Sequence, residues 1–292
     1  MTDIRTKLSY SARAVDESLT RLLGCTDEDI ASLFESMRYS AVGGGKRIRA
    51  YLTRTVAALL GGDKNEAMTY ASAIEMVHAY SLIHDDLPCI DNDDMRRGKP
   101  TNHKVYGEAR AILAGDALLT YAFDVIASND NIPADRRILA VRELAAAAGP
   151  VGMVGGQVMD MAPDLSGGTP RLIKLQEKKT GALIRCAARL GCIAARAEDT
   201  VMSALDSYAK NIGLAFQIKD DILDRYGSTE ALGKTAGKDE KEGKVTFLTY
   251  MSREEAQNII GMLTRDAILA ISDIDKNYDL KALAAYLSSR EN

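Results

Sequence analysis

The 292-residue chain is 46% hydrophobic and 27% charged, with 41 acids against 37 bases and a formal net charge of −4. That is ample apolar material for a large core, which excludes a disordered chain. The near balance of charge offers no global positive field for nucleic acid or an anionic membrane, so any bound anion must meet local clusters of bases.

The four cysteines (Cys25, Cys89, Cys186, Cys192) form no CxxC pair and accompany no histidine at zinc spacing. Reduced thiols and a cytoplasmic location are expected. Residues 1–19 carry charges throughout and no apolar run, so no signal peptide is expected. The most apolar stretch, Leu144 to Met153, is broken by Gly149 and Pro150. It falls short of the ~18 residues a membrane span needs, so no stable membrane insertion is expected.

Six prolines, no tryptophan and few alternating β-branched runs favour helices. In chain order, Ile30, Leu33, Phe34 and Met37 share one helical face, and Gly43-Gly44-Gly45 and Gly61-Gly62 punctuate. Val77 to His84 is helical in pattern, with His78, Ser81 and Asp85 at i, i+3 and i+7; Pro88 ends it. Leu172, Leu175, Lys179 and Leu183 form a second face. Leu205, Tyr208, Ile212, Ala215 and Phe216 mark a long apolar helix, and Ile259, Met262, Leu263 and Ile268 a last one. With no linker and no repeat period, residues 1–292 are expected to be a single all-α domain of ten or more helices.

Two acidic clusters stand out. The first, Asp85-Asp86-Leu87-Pro88-Cys89-Ile90-Asp91-Asn92-Asp93-Asp94, packs five aspartates into ten residues, which repel one another unless a cation lies among them. Carboxylates in ones and twos, completed by substrate phosphates and water, are the ligands Mg²⁺ accepts. A solvated acidic loop is the bland alternative, but apolar Leu82, Ile83, Leu87 and Ile90 are poor company for it. The loop is expected to return Asp91 toward Asp85. The second cluster puts Gln217, Asp220, Asp221 and Asp224 at helical spacing as one stripe that ends an apolar helix.

Basic residues suited to phosphate complete the pattern. Gly43 to Arg49 (GGGKRIR) sets a flexible backbone before Lys46 and Arg49; it lacks the spacing of a nucleotide-binding P-loop. Arg96-Arg97 either balances the preceding acids or reaches a diphosphate with its bidentate fork. Lys179 sits on an apolar stripe, which suits a side chain whose ammonium meets an anion. Lys234 and Lys244 lie in a charged loop after the second cluster.

In order along the chain, GGGKRIR, DDxxxxD (Asp85, Asp86, Asp91) with Arg96-Arg97-Gly98, GGQVMD (155–160), KTG (179–181), DDxxD (Asp220, Asp221, Asp224) after Phe216-Gln217, and GKTAGKD (233–239) resemble the trans-isoprenyl diphosphate synthases over nearly the whole chain. The resemblance implies an all-α bundle around a deep central cavity, with the aspartate motifs facing each other across its mouth. It implies a homodimer and about three Mg²⁺ ions held by Asp85, Asp91 and Asp220, with Asp86 and Asp224 as further candidates. Arg96, Lys179 and Lys234 would contact the allylic diphosphate, and Lys46, Arg49, His78 and Arg97 the diphosphate of isopentenyl diphosphate. The carbonyl of Lys179, with Thr180 and Gln217, would stabilise the allylic cation; Gln157 and Asp160 would support them.

The implied reaction joins isopentenyl diphosphate head to tail to dimethylallyl or geranyl diphosphate. An aromatic Tyr80 five residues before Asp85, beside the expanded motif, resembles bacterial farnesyl diphosphate synthases, so a C15 product is expected. The alternatives are a C20 geranylgeranyl product or, from another class, a terpene cyclase.

Overall fold

The structure, a computed structural model, describes residues 3–161, 167–226 and 245–290. It is all-α apart from one small hairpin. The helices are α1 (Ile4–Leu22), α2 (Ala31–Ala41), α3 (Ile48–Leu59), α4 (Lys64–Asp85), α5 (Asn102–Tyr106), α6 (Glu108–Ala127), α7 (Ala134–Ala148), α8 (Met153–Met161), α9 (Gly168–Gln176), α10 (Ala182–Ala195), α11 (Asp199–Tyr226), α12 (Arg253–Ala270) and α13 (Asp279–Ser289). A π-helical turn, Glu177–Gly181, joins α9 to α10, and a short 3₁₀ turn, Phe247–Thr249, precedes α12. Strands β1 (Met95–Arg96) and β2 (Lys99–Pro100) pair antiparallel. The chain forms two compact units: residues 1–142 with 193–195, and residues 143–192 with 196–292.

The first unit is organised on α4. Asp63 caps its start by accepting the amide protons of Asn65 and Glu66, and buried residues then run on all sides from Glu66 to Ile83. A helix apolar all round needs neighbours on every side. Here they are α1, α2, α3 and α6. The face expected on α2 is turned: Met37 is buried with Ser36 and Ala41, while Ile30 is an exposed cap.

The second unit is organised on α11, whose Leu205, Tyr208, Ile212 and Ala215 are buried as the spacing requires. Tyr208 is held at its polar end by donating to the Leu280 carbonyl at 2.7 Å. The buried face of α12 is Ala256, Ile260 and Ala267; Ile259 and Leu263 of the expected stripe pack half-buried against the same core, and Met262 is left exposed.

Residues 134–161 are apolar and long enough, at mean hydropathy 1.4 over an 18-residue window, to meet the length and composition of a membrane span. The turn at 149–152 divides them into α7 and α8.

Candidate active site

In the first unit the chain reverses after α4. Asp86 closes the helix, Asn92 takes a left-handed conformation, and the Asp91 amide donates to the Asp85 carbonyl at 2.9 Å. Asp91 is thus returned to Asp85, as expected from the sequence. Asp85 ends α4, where the helix dipole adds partial negative charge, an unfavourable place for a carboxylate that a bound cation would relieve.

Asp86 has a different role. It is buried, and Arg96 grips it with Nε at 2.7 and 2.9 Å from its two oxygens and Nη2 at 2.5 Å. Burial pushes its carboxyl up, with Arg96 pulling the other way. Burial is the largest influence on Arg96 and opposes its charge, but the Asp86 hydrogen bond and the charges of Asp86, Asp93 and Asp85 together raise its pKa. Arg96, expected as a ligand donor, therefore commits Nε and Nη2 to the motif itself.

The hairpin that carries Arg96 turns through Arg97 (φ 53°) and Gly98 (φ 75°) between the paired residues Arg96 and Lys99. Positive φ at both central positions is the geometry of a type I′ turn, which ordinarily takes Asn or Gly where Arg97 stands. The strained backbone, costing on the order of 1 kcal/mol, aims Arg97 across the Gly43–Gly45 loop. A Cβ on Gly45 would lie 2.7 Å from the guanidinium carbon of Arg97. Glycine here lets the arginine lie on the backbone. A cavity of about 300 Å³ beside this contact is lined by the Gly43–Gly45 loop, Tyr39, Asp86, Arg96 and Arg97.

Sequence reasoning gives Lys46 and Arg49 the functional roles and Arg47 none, yet it is Arg47 that is tied into the surrounding structure. It caps α3 in a left-handed conformation, is buried, and pairs with Asp16 at 2.7 Å and Glu75 at 3.2 Å. It also donates to the Ala41 carbonyl at 2.6 Å. Lys46 and Arg97 remain exposed, whereas Arg49 is half-buried and its Nε is shut off from solvent with no hydrogen-bond partner among the described residues. Burial lowers the Arg49 pKa while Glu75 raises it. His78 is held well below its usual pKa by burial and then by Arg49, Arg97, Arg47 and Arg96, so it is a neutral donor or acceptor amid four guanidiniums. Three of the residues assigned to isopentenyl diphosphate, Arg49, His78 and Arg97, thus share one electrostatic environment.

The second unit holds the remaining candidates. Asp221, expected in the acidic stripe, turns inward and accepts the Phe247 amide at 2.7 Å; Asp224 is also buried. Asp220 is the more open member, and Arg290, seventy positions on, pairs with it at 2.6 Å while stacking on Phe216. No local signal could have shown Arg290, because its partner is distant in sequence.

Lys179 lies in the π turn and its ammonium pairs with Asp160 of α8 at 2.5 Å. Thr180 follows in the same turn. Wider π turns cluster at functional sites, and this one displaces the Lys179 carbonyl from regular helical register. Gly156 makes the approach possible: a Cβ there would lie 2.2 Å from the Lys179 amide nitrogen. Gln217 donates to Gln176 at 2.9 Å, while both polar atoms of the Gln157 amide are buried without a partner among the described residues. Lys234 and the GKTAGKD segment lie outside the described residues.

Among the described residues, no three His, Cys, Asp or Glu side chains converge as a ready metal cage. The carboxylates fit Mg²⁺ in another way. Asp85 and Asp91 lie on one reversed loop, tied by the Asp91 amide to the Asp85 carbonyl, and two carboxylates so placed match an ion that takes one or two of them and leaves its other positions to phosphate and water.

A polyprenyl synthetase family profile matches residues 30–280. The chain is 47% identical over 267 residues to geranylgeranyl pyrophosphate synthase 3, chloroplastic, of Arabidopsis thaliana, covering 88% of this chain and 74% of that protein. It is 45% identical over 265 residues to the chloroplastic geranylgeranyl pyrophosphate synthase of Catharanthus roseus, covering 89% and 74%. Among solved structures, an FPP/GFPP synthase from Zymomonas mobilis superposes with a TM-score of 0.88 at 37% identity, covering 98% of this chain and 99% of that one. A geranyltransferase from Legionella pneumophila gives 0.88 at 31% identity, covering 99% and 98%. With its helical fold, its paired aspartate motifs and these relatives, the chain belongs to the polyprenyl synthetase family and is a prenyltransferase.

Proposed function

We propose that this protein joins isopentenyl diphosphate head to tail to allylic diphosphates in a Mg²⁺-dependent reaction, with all-trans geranylgeranyl diphosphate as its product. The observation that carries the reading is in the first unit, where the Asp85–Asp91 loop and the cluster of Arg49, Arg97 and neutral His78 are built from adjoining segments. Carboxylates for a metal and guanidiniums for a second anion are what two diphosphate substrates need. The C20 product is supported by relatives named as geranylgeranyl pyrophosphate synthases.

In this reading Lys46, Arg49, His78 and Arg97 hold isopentenyl diphosphate. Arg96 Nη1, Lys179 and Lys234 meet the allylic diphosphate. Mg²⁺ held by Asp85, Asp91 and Asp220 would supply charge stabilisation as the diphosphate departs. The Lys179 carbonyl, Thr180 and Gln217 face the allylic cation with fixed dipoles. The double bond of isopentenyl diphosphate attacks C1 of that cation, held near it by its own headgroup. The departing diphosphate takes the final proton, so no side-chain base is required. A homodimer belongs to the same proposal, with exposed Ile112 and Leu113 on α6 and Ile138 and Leu139 on α7 as apolar surface for a second copy to cover.

A second reading, a C15 farnesyl product, is favoured by Tyr80, which is buried on α4 five residues before Asp85 and packs edge-on against His84 at 5.7 Å. Incubation with labelled isopentenyl diphosphate and dimethylallyl, geranyl or farnesyl diphosphate, followed by sizing of the dephosphorylated products, separates the readings. A C20 chain from all three supports the proposal; arrest at C15 supports the second. Cyclic products without consumption of isopentenyl diphosphate would overturn both. Asp85→Ala and Asp220→Ala should each lower turnover by at least about a thousandfold, as several kcal/mol of transition-state stabilisation is removed. Wild-type rates in both would refute the metal assignment.

A further inference from the structure

The arginine cluster of the first unit is assembled around a buried acid that none of the substrate roles uses. Glu75 lies mid-way along α4 with its side chain 2% exposed. A carboxylate so placed is costly unless both oxygens are engaged. Here Oε1 accepts the Ala50 amide proton at 3.1 Å, and Oε2 faces Arg47 Nη1 at 3.2 Å. The first contact caps α3 from outside the helix, since Arg47 at its N-cap makes no side-chain cap. The second is long for a charged hydrogen bond, which ordinarily runs about 2.7–2.9 Å. Asp16, at 2.7 Å, is the closer partner of Arg47. Glu75 therefore has charge in reserve, and its field supports the charged form of Arg49, which burial opposes, and that of Arg97 beside it. The Arg49 Nε lacks a partner among the described residues, so the cluster is incomplete without an anion.

We propose that Glu75 is the internal counter-ion of this anion site, a buried carboxylate that keeps the arginine cluster assembled while no diphosphate is bound. The inference rests on the isopentenyl-diphosphate reading of that cluster. Glu75 acts as a positioning residue: it touches Arg47 and the α3 backbone. Its negative charge stabilises the empty site and opposes the arriving anion, so removing it shifts both in linked fashion.

The test is thermal unfolding of the wild-type protein and Glu75→Gln in EDTA, with and without inorganic pyrophosphate as the probe. Glutamine keeps an oxygen for the Ala50 amide and deletes the charge. The variant should melt lower than wild type alone, recover most of the gap with pyrophosphate, and bind pyrophosphate about three- to tenfold more tightly. Glu75→Asp, which keeps the charge and shortens the side chain, should bind pyrophosphate about as wild type does. An equal melting deficit with and without pyrophosphate would reduce Glu75 to a cap and overturn the proposal, as would tighter binding in Glu75→Asp equal to that in Glu75→Gln. If Glu75→Gln does not fold alone, refolding with pyrophosphate decides: recovery supports the role and failure in both conditions overturns it. A wild-type protein that pyrophosphate does not stabilise would mean that the anion-site reading itself has failed.

Discussion

Asp86 and Asp221 each follow an open aspartate by one residue, and in both pairs the second carboxylate is the buried one. Asp86 is clamped by Arg96, and Asp221 accepts the Phe247 amide. Adjacent residues on a helix point about 100° apart, so when one faces an open surface the next turns toward neighbouring structure. Each doubled aspartate thus pairs a half-buried carboxylate with a buried one tied to its surroundings. His78 shows the same reliance on surroundings. Held below its usual 6.5 by burial and by Arg49, Arg97, Arg47 and Arg96, it binds its proton more readily in the unfolded chain. Stability should then be full above about pH 6.5 and fall as the pH drops below it, by up to about 1.4 kcal/mol per pH unit. His78→Asn should remove that part of the acid dependence, read by denaturation at pH 7 and pH 5. Tyr80 decides product length in the C15 reading. Its hydroxyl is pushed up to about 12 by burial and by Asp85, so it stays neutral and acts by bulk. Tyr80→Ala should lengthen the chain, and chromatography of the dephosphorylated product should register the change; an unchanged C15 product would remove Tyr80 from that role.

At the scale of elements, helix ends and helix irregularities hold the candidate residues. Asp85 closes α4 and Asp224 lies in the last turn of α11, both where the dipole disfavours acids. The π turn at Glu177–Gly181 offers Lys179 and Thr180 on a widened backbone that packs on α8 at Gly156. Gly156→Ala forces a Cβ against main chain, which cannot give way as a flexible side chain could. It should cost about 3 kcal/mol or more and lower activity through the displaced turn. Melting temperature and turnover should fall together, and a variant with both unchanged would show that the turn tolerates the methyl. The sequence announced the GGQVMD and KTG segments and their order. It could not show that they meet, since the close approach of α8 to the π turn depends on how two helices pack.

Across the whole molecule, the two acidic motifs are carried by separate compact units, the first with the arginine cluster and the second with the π turn. Exposed apolar residues on α6 and α7 bear on assembly. In the homodimer proposal, Leu113→Asp with Ile138→Asp should convert a dimer to a monomer in light scattering at matched concentration. Identical masses for variant and wild type would exclude those faces from the contact. Helical class, motif order and the identities of the acids and bases were determined by the sequence itself, because propensity, periodicity and spacing are local properties of the chain. Only tertiary structure decided which aspartate of each pair is buried, that Arg47 anchors the basic loop, that Glu75 lies beneath it and that Arg290 sits on Asp220. Those outcomes depend on partners tens of residues distant, and burial and field at a side chain are set by whatever the fold brings beside it.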